Sequence, residues 1–317
     1  MRLIKALTKD QHQEILALHP MDTEAAKVYT DRLGTEVSRQ LVRYWRKIFS
    51  TSKPKADASI IRSRMLRTPS PTDDVGDLGW MPEECNSVLV IGDIHAPYQH
   101  PDMIPFLEHV KRTFSPDCVI QIGDETDGHA LSFHESDPNL DSAGAELDRA
   151  RRVLDSLHSL FPRMLICHSN HGSLIYRRAR NSGIPVQMIR SYREILFPDT
   201  KAPGWSWAYS WRISTPVGDV MFKHQPAGDV LGDAAHEGYS LVVGHLHGKA
   251  SIEWGASSQR LYFGAHTGCL IDKDSLAFAY GRDFKLKPII SVLLILNGIP
   301  AIYPMTLGDD DGRWVGV

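Results

Sequence analysis

Five short runs in this chain carry residue types that bind divalent cations: Gly92-Asp93-Ile94-His95, Gly123-Asp124-Glu125-Thr126-Asp127, Ser169-Asn170-His171, Lys223-His224 and Gly244-His245-Leu246-His247. Their donors are carboxylate, carboxamide oxygen and imidazole, with no thiolate. That set suits manganese foremost, and iron, zinc or nickel as well. Asp93, His95, Asp124, Asn170, His224, His245 and His247 make seven ligands, enough for two divalent ions sharing the carboxylate of Asp124. Two such ions, about 3.5–4 Å apart, activate water and clamp the oxygens of an in-line phosphoryl displacement. His171 remains beside them, an imidazole that titrates near neutrality and can protonate a leaving alkoxide.

Ligands that far apart in sequence need a scaffold that gathers them. Val88 to Ile91, Val119 to Ile122 and Met164 to Ile166 are short apolar runs, two of which end in Gly-Asp. Helix-length segments, 102–113 and 144–160, lie between them, and strand alternating with helix is the α/β pattern. Beyond Pro203 the expected strands crowd together: 206–213, 220–224, 241–243, 251–254, 261–263 and 290–296. Open α/β sheets place ligands at the carboxyl ends of strands, where these runs fall. A lone Gly-Asp is usually a turn and a lone His-x-His usually structural. Five such runs in order, each after an apolar run, are specific.

The series resembles the calcineurin-like metallophosphoesterases, whose pattern is D-x-H, G-D-x-x-D, G-N-H-[DE], H, G-H-x-H. The resemblance covers residues 87 to about 306 and implies a four-layer α/β/β/α sandwich with a dinuclear site. It assigns Asp93, His95, Asp124 and His247 to one ion and Asp124, Asn170, His224 and His245 to the other. It makes His171 the general acid or charge stabiliser, oriented by Asp127, and a hydroxide bridging the ions the nucleophile. Gly128 stands where the protein Ser/Thr phosphatase branch has an arginine and Gly172 where it has an acid, which argues against that branch. Arg177, Arg178 and Arg180 follow the third run, either as phosphate contacts or as a solvated helix face.

Residues 1–50 read as a small all-helical domain: Gln11 to Leu18, Asp22 or Thr23 to Leu33 with Gly34 at its end, and a helix capped by Ser38 through Phe49. The last two resemble a helix-turn-helix, although Thr35 and Glu36 lengthen the connection; a hairpin used for dimerisation is the alternative. Between Arg39 and Arg67 nine basic residues face one acidic residue, Asp57, a local charge of +8 in a chain whose net charge is −3. A basic arm on an acidic body suits a polyanionic partner, with Arg39, Arg43, Arg46 and Lys47 as candidate nucleic-acid contacts. Residues 51–86 have the composition of a basic, proline-containing linker, which leaves 87–317 for the phosphoesterase domain. The four cysteines are isolated, and no apolar stretch is long enough to span a bilayer, so no disulfide framework and no membrane are expected.

The expected activity is hydrolysis of phosphate esters, with DNA or nucleotides as substrates and a phosphodiesterase or nuclease as the form. A phosphomonoesterase of small metabolites and a DNA-binding regulator with a non-catalytic core are the alternatives. The arrangement of helical segment, basic linker and core resembles proteins encoded by bacteriophages, so the expected compartment is cytoplasm, the host's for a phage protein. A homo-oligomer is compatible with it.

Overall fold

The computed structural model describes residues 6–49, 74–133, 137, 139–281, 286–309 and 311–316. Residues 51–73 of the expected linker lie outside these, and with them Lys53, Lys55, Arg62, Arg64 and Arg67. The chain divides into two compact units, Met1–Pro69 and Ser70–Val317.

In the smaller unit Gly34 and Ser38 cap as the sequence suggests, whereas the second helix starts after Met21 and neither Asp22 nor Thr23 caps it. Helix α1 (Lys9–Leu18) begins with a capping box, in which Thr8 accepts from the Gln11 amide and the Gln11 side chain accepts from the Thr8 amide. Helix α2 (Asp22–Leu33) ends at Gly34, and α3 (Arg39–Ile48) starts from the Ser38 hydroxyl, which accepts from the Leu41 amide. Ile15, Leu16, Ala25, Tyr29, Val42 and Trp45 close one core. Within it His12 Nδ1 lies 2.9 Å from the Tyr29 hydroxyl, so the buried imidazole is partnered.

The larger unit holds two sheets. Strands β1 (Ser87–Ile91), β2 (Cys118–Gln121), β3 (Met164–Cys167) and β4 (Trp205–Ala208) run parallel, and β10 (Ser291–Leu296) and β11 (Ile299–Pro304) complete the first sheet in the order β11-β10-β1-β2-β3-β4. The second sheet has the order β5-β6-β7-β9-β8. Its strands are β5 (Ser210–Thr215), β6 (Gly218–Lys223), β7 (Ser240–Val243), β8 (Ala250–Ala256) and β9 (Leu261–Thr267), with β6, β7 and β9 parallel.

Side-chain alternation separates the layers. Leu89, Ile91, Ile166 and Leu294 face a core shared with α4 (Met103–Phe114) and α5 (Ala143–Leu160), through Phe106, Leu107, Leu154 and Leu157. Val88, Val90, Ile120, Leu165 and Leu293 point the other way and meet Ile213, Val220, Phe222, Val242 and Phe263 between the sheets. On the far side, Val230 and Ala234 of α8 (Val230–Glu237) cover Leu241 and Val243. The order is therefore helices, sheet, sheet, helix. Strands buried on both faces read as continuous apolar runs, which is why they stood out in the sequence. Two shorter helices, α6 (Leu174–Asn181) and α7 (Tyr192–Leu196), join β3 to β4.

Two expectations change. The run 206–213 is two strands in different sheets: Trp205 and Trp207 are buried in the first, and the chain crosses at Tyr209 into β5 of the second. The second is an extension: the expected strand 290–296 is one arm of a hairpin with β11. Asn297 and Gly298, with φ of 49° and 83°, make its turn, and Pro300 is tolerated because β11 is an edge strand.

Candidate metal centre

All five runs leave the carboxyl ends of parallel strands: β1, β2 and β3 in one sheet, β6 and β7 in the other. The structure brings the seven expected ligands together. Asp93, His95 and His247 form one group and Asp124, His224 and His245 another, the ligand atoms within each group lying within 4.8 Å of one another. Asp124 Oδ2 stands 3.2 Å from His224 Nε2 and 3.5 Å from His95 Nε2, between the groups. Asn170 Oδ1 is 2.9 Å from His224 Nε2, and His247 Nε2 is 3.2 Å from Asp93 Oδ2. His95, Asp124 and His245 have positive φ (51°, 53° and 67°) without being glycine, a sparsely populated conformation that clusters at functional sites.

Three imidazoles are aimed by one device. His224 Nδ1 lies 3.1 Å from the Ile122 carbonyl, His95 Nδ1 2.6 Å from Asp127 Oδ1, and His171 Nδ1 2.5 Å from the Asp127 carbonyl. Each acceptor places the ring proton on Nδ1 and leaves Nε2 for the centre. Backbone amides hold the carboxylates: His171 N–H donates to Asp124 Oδ1 at 3.1 Å and His245 N–H to Asp93 Oδ2 at 2.9 Å. Glycines permit the approach. A Cβ at Gly244 would stand 2.4 Å from Asp93 Oδ1, and one at Gly123 2.8 Å from His224 Nδ1.

The electrostatics favour positive charge. Burial depresses His224, yet Asp124 and Asp93 outweigh it and raise its pKa to about 9. Burial likewise opposes protonation of His171, but Asp124 and Asp127 carry it above its ordinary value. His95 is lowered, first by burial and then by the neighbouring His171. Asp124 is held well below the usual carboxylate range because the imidazoles around it overcome its desolvation. Asp93 Oδ1 is buried without a hydrogen-bond partner. An orphaned carboxylate oxygen is costly, and a cation is what would satisfy it. The donor set therefore fits divalent metal ions.

Two assignments change in detail. The Asp127 carboxylate hydrogen-bonds His95, while its Oδ1 is 3.7 Å from His171 Nδ1 and the hydrogen bond of His171 goes to its carbonyl. Arg46 is no surface contact. Its guanidinium is buried and donates to Asp22 Oδ1, the Leu16 carbonyl and the His19 carbonyl, because the α3 face that bears it packs inward. Arg39, Arg43 and Lys47, one turn apart, stay exposed, with Arg43 also donating to Asp22. Of the later arginines, Arg178 donates to the Leu131 carbonyl and lies with Arg177 over the Phe133 ring.

Sequence reading missed Ile122, whose carbonyl orients His224, and Glu146, whose carboxylate accepts from His129 and Ala130 N–H and fixes the turn after Asp127. A backbone carbonyl has no sequence signature; Glu146 was an acid inside a helix.

No family model matches the chain, and no curated protein matches it. Solved structures do. Vacuolar Protein Sorting 29 from Cryptosporidium parvum is 14% identical over 73% of this chain and 94% of its own, with a TM-score of 0.40. Vps29 from Chaetomium thermophilum is 15% identical over 73% and 93%, at 0.39, and the nuclease MPE of Pseudomonas putida 12% identical over 68% and 85%, at 0.26. At such values the site's chemistry rests on its own geometry. No described helix is long and apolar enough to cross a membrane.

Proposed function

We propose that this chain is a metallophosphoesterase with a dinuclear centre that hydrolyses phosphodiesters, with nucleic acid or nucleotides as the substrate class. The observation that carries the proposal is the convergence of two ligand groups on Asp124, with a buried Asp93 oxygen that has no hydrogen-bond partner beside them. Asp93, His95, Asp124 and His247 would hold one ion, and Asp124, Asn170, His224 and His245 the other. Bound there, the ions would supply an activated water and neutralise charge on the phosphoryl oxygens.

The chain's own residues do the rest. Asp127 Oδ1 holds the His95 ring so that Nε2 faces Asp124. His171 lines the cavity in front of the centre, its Nδ1 fixed by the Asp127 carbonyl and its pKa raised. It can therefore give a proton from Nε2 to the leaving oxygen. Two cavities adjoin the centre and share Asn170. The larger contains His95, His171 and His247, and the smaller contains His224, Tyr209 and Lys223. A diester has two arms to place, which favours it over a monoester.

The N-terminal unit supports nucleic acid as the substrate. Helix α3 has no acidic residue, and its exposed face carries Arg39, Arg43 and Lys47 with Gln40 and Tyr44. Such a face neutralises backbone phosphates and makes affinity fall steeply with salt.

The test is metal reconstitution of the full chain, counting ions per chain and assaying bis(p-nitrophenyl) phosphate, p-nitrophenyl phosphate and single- and double-stranded DNA. Two ions per chain and faster hydrolysis of diesters are expected. Tight DNA binding with no hydrolysis under any metal would leave a regulator with an inert core instead.

A further inference from the structure

The larger cavity, of about 850 Å³, has two chemically different walls. One is the metal-type centre. The other is apolar, built by Leu246, Ile271 and Phe278, and it is edged by Lys249, Lys273 and Lys287 with one acid, Asp274. Its volume falls in the range of about 300–1,000 Å³ typical of sites that enclose an organic ligand.

The lysines stand on braced backbone. Lys249 closes a turn in which its amide donates to the Leu246 carbonyl at 2.9 Å, and Ile289 N–H ties the 286–289 segment to the His247 carbonyl at 2.9 Å. Gly248 lies against Leu286, so close that an added Cβ would stand 2.8 Å from the Leu286 Cβ. Lys273 sits in a turn held by Asp272, whose Oδ1 accepts from Asp274 N–H at 3.0 Å and whose carbonyl accepts from Ser275 N–H at 3.1 Å. Lys249 and Lys273 are both exposed at the cavity edge.

Neither wall suits a small phosphorylated metabolite. An aryl or sugar monophosphate would leave Lys249 and Lys273 with no phosphate to meet, and inorganic phosphate would leave the apolar wall bare. The geometry points to this cavity as the subsite for the nucleoside next to the scissile phosphate and for the phosphate beyond it. The base and sugar lie against Leu246, Ile271 and Phe278, and the second phosphate meets Lys249 and Lys273. Apolar and aromatic surface accepts any base, and lysine reads phosphate as a point charge, so the subsite selects a strand rather than a sequence. The inference rests on the phosphoesterase reading above and adds that the substrate carries a second phosphate one nucleoside away.

The experiment uses the full, metal-loaded chain and three substrates: the thymidine dinucleotide dTpdT and its 5′- and 3′-phosphorylated forms. The readout is kcat/KM for cleavage of the internal diester, by chromatography. One of the end-phosphorylated forms should be preferred over dTpdT by about tenfold, which is 1.4 kcal/mol. The preference should shrink as salt rises. Lys249→Gln combined with Lys273→Gln should bring the ratio close to one, and Lys273→Glu should lower it further. Equal kcat/KM for all three substrates, or a preference that survives the double substitution, overturns the subsite. Failure of the parent reading looks different: neither the dinucleotides nor bis(p-nitrophenyl) phosphate would be cleaved with any divalent ion.

Discussion

Both units bury charge, and they resolve it differently. In the N-terminal unit Arg46 and Asp22 answer each other at 2.9 Å, and Nη1 and Nη2 of the guanidinium donate to the carbonyls of Leu16 and His19. In the larger unit Asp93 Oδ1 has no hydrogen-bond partner, and the acids around His224 raise its pKa to about 9. A buried ion pair in which each guanidinium nitrogen finds an acceptor is architecture. A buried cluster that draws in positive charge and leaves an oxygen open is built to receive something.

That contrast can be broken at either end. The largest effect is expected from Asp124→Asn, which removes the carboxylate between the two ligand groups. Hydrolysis should fall by about 10³-fold or more, since a bound ion supplies several kcal/mol of charge stabilisation. Metal content should fall with it, and the melting temperature in chelator near neutral pH should fall as well, because the imidazoles that hold the Asp124 carboxylate below its usual range lose their counter-charge. Activity and metal content that survived would end the assignment. His171→Gln should cost about 10²–10⁴-fold with metal content unchanged, and least for substrates with good leaving groups such as p-nitrophenolate. An equal loss for good and poor leaving groups would exclude proton donation.

Arg46→Ala tests the other end. Removing one partner of a buried pair costs about 3–5 kcal/mol, so the N-terminal unit should unfold at much lower denaturant while hydrolysis of small aryl phosphates persists. Arg39→Ala, on the exposed face, should change stability by no more than about 0.5 kcal/mol. Asp127→Asn is intermediate. It loosens a ligand without removing it, and about a 10- to 100-fold loss of metal affinity is expected. The smallest effects belong to Arg39→Ala and Lys47→Ala in DNA binding, each lowering the salt slope by about one. Unchanged slopes would take nucleic acid away from α3.

The candidate ligands were legible because of how parallel sheets work. Strands buried on both faces announce themselves as apolar runs, and the residue after each run must lie at the sheet's carboxyl edge. Asp93, Asp124, Asn170, His224 and His245 all follow that rule. What a side chain does at the edge depends on partners far away in sequence. Asp127 lies between His95 and His171 in space, and only the structure shows that its carboxylate goes to the first and its carbonyl to the second. Arg46 reads as one cation in a basic run, yet helical periodicity places it on the inner face with Val42 and Trp45. The strand expected over 206–213 failed at Tyr209, where alternation of aromatic residues continues while the chain changes sheets. The lysine-edged wall was invisible because Lys249, Lys273 and Lys287 come from separate turns with no shared pattern.

The amide of His171 is bonded to Oδ1 of Asp124. The proposed proton donor and the carboxylate proposed to be common to both ions are thus on one short leash. Moving that carboxylate to suit a larger or smaller cation moves the acid with it. In the proposed mechanism ionic radius then becomes a lever on acid catalysis. Exchanging one divalent ion for another should change which leaving groups the protein favours as well as how fast it turns over.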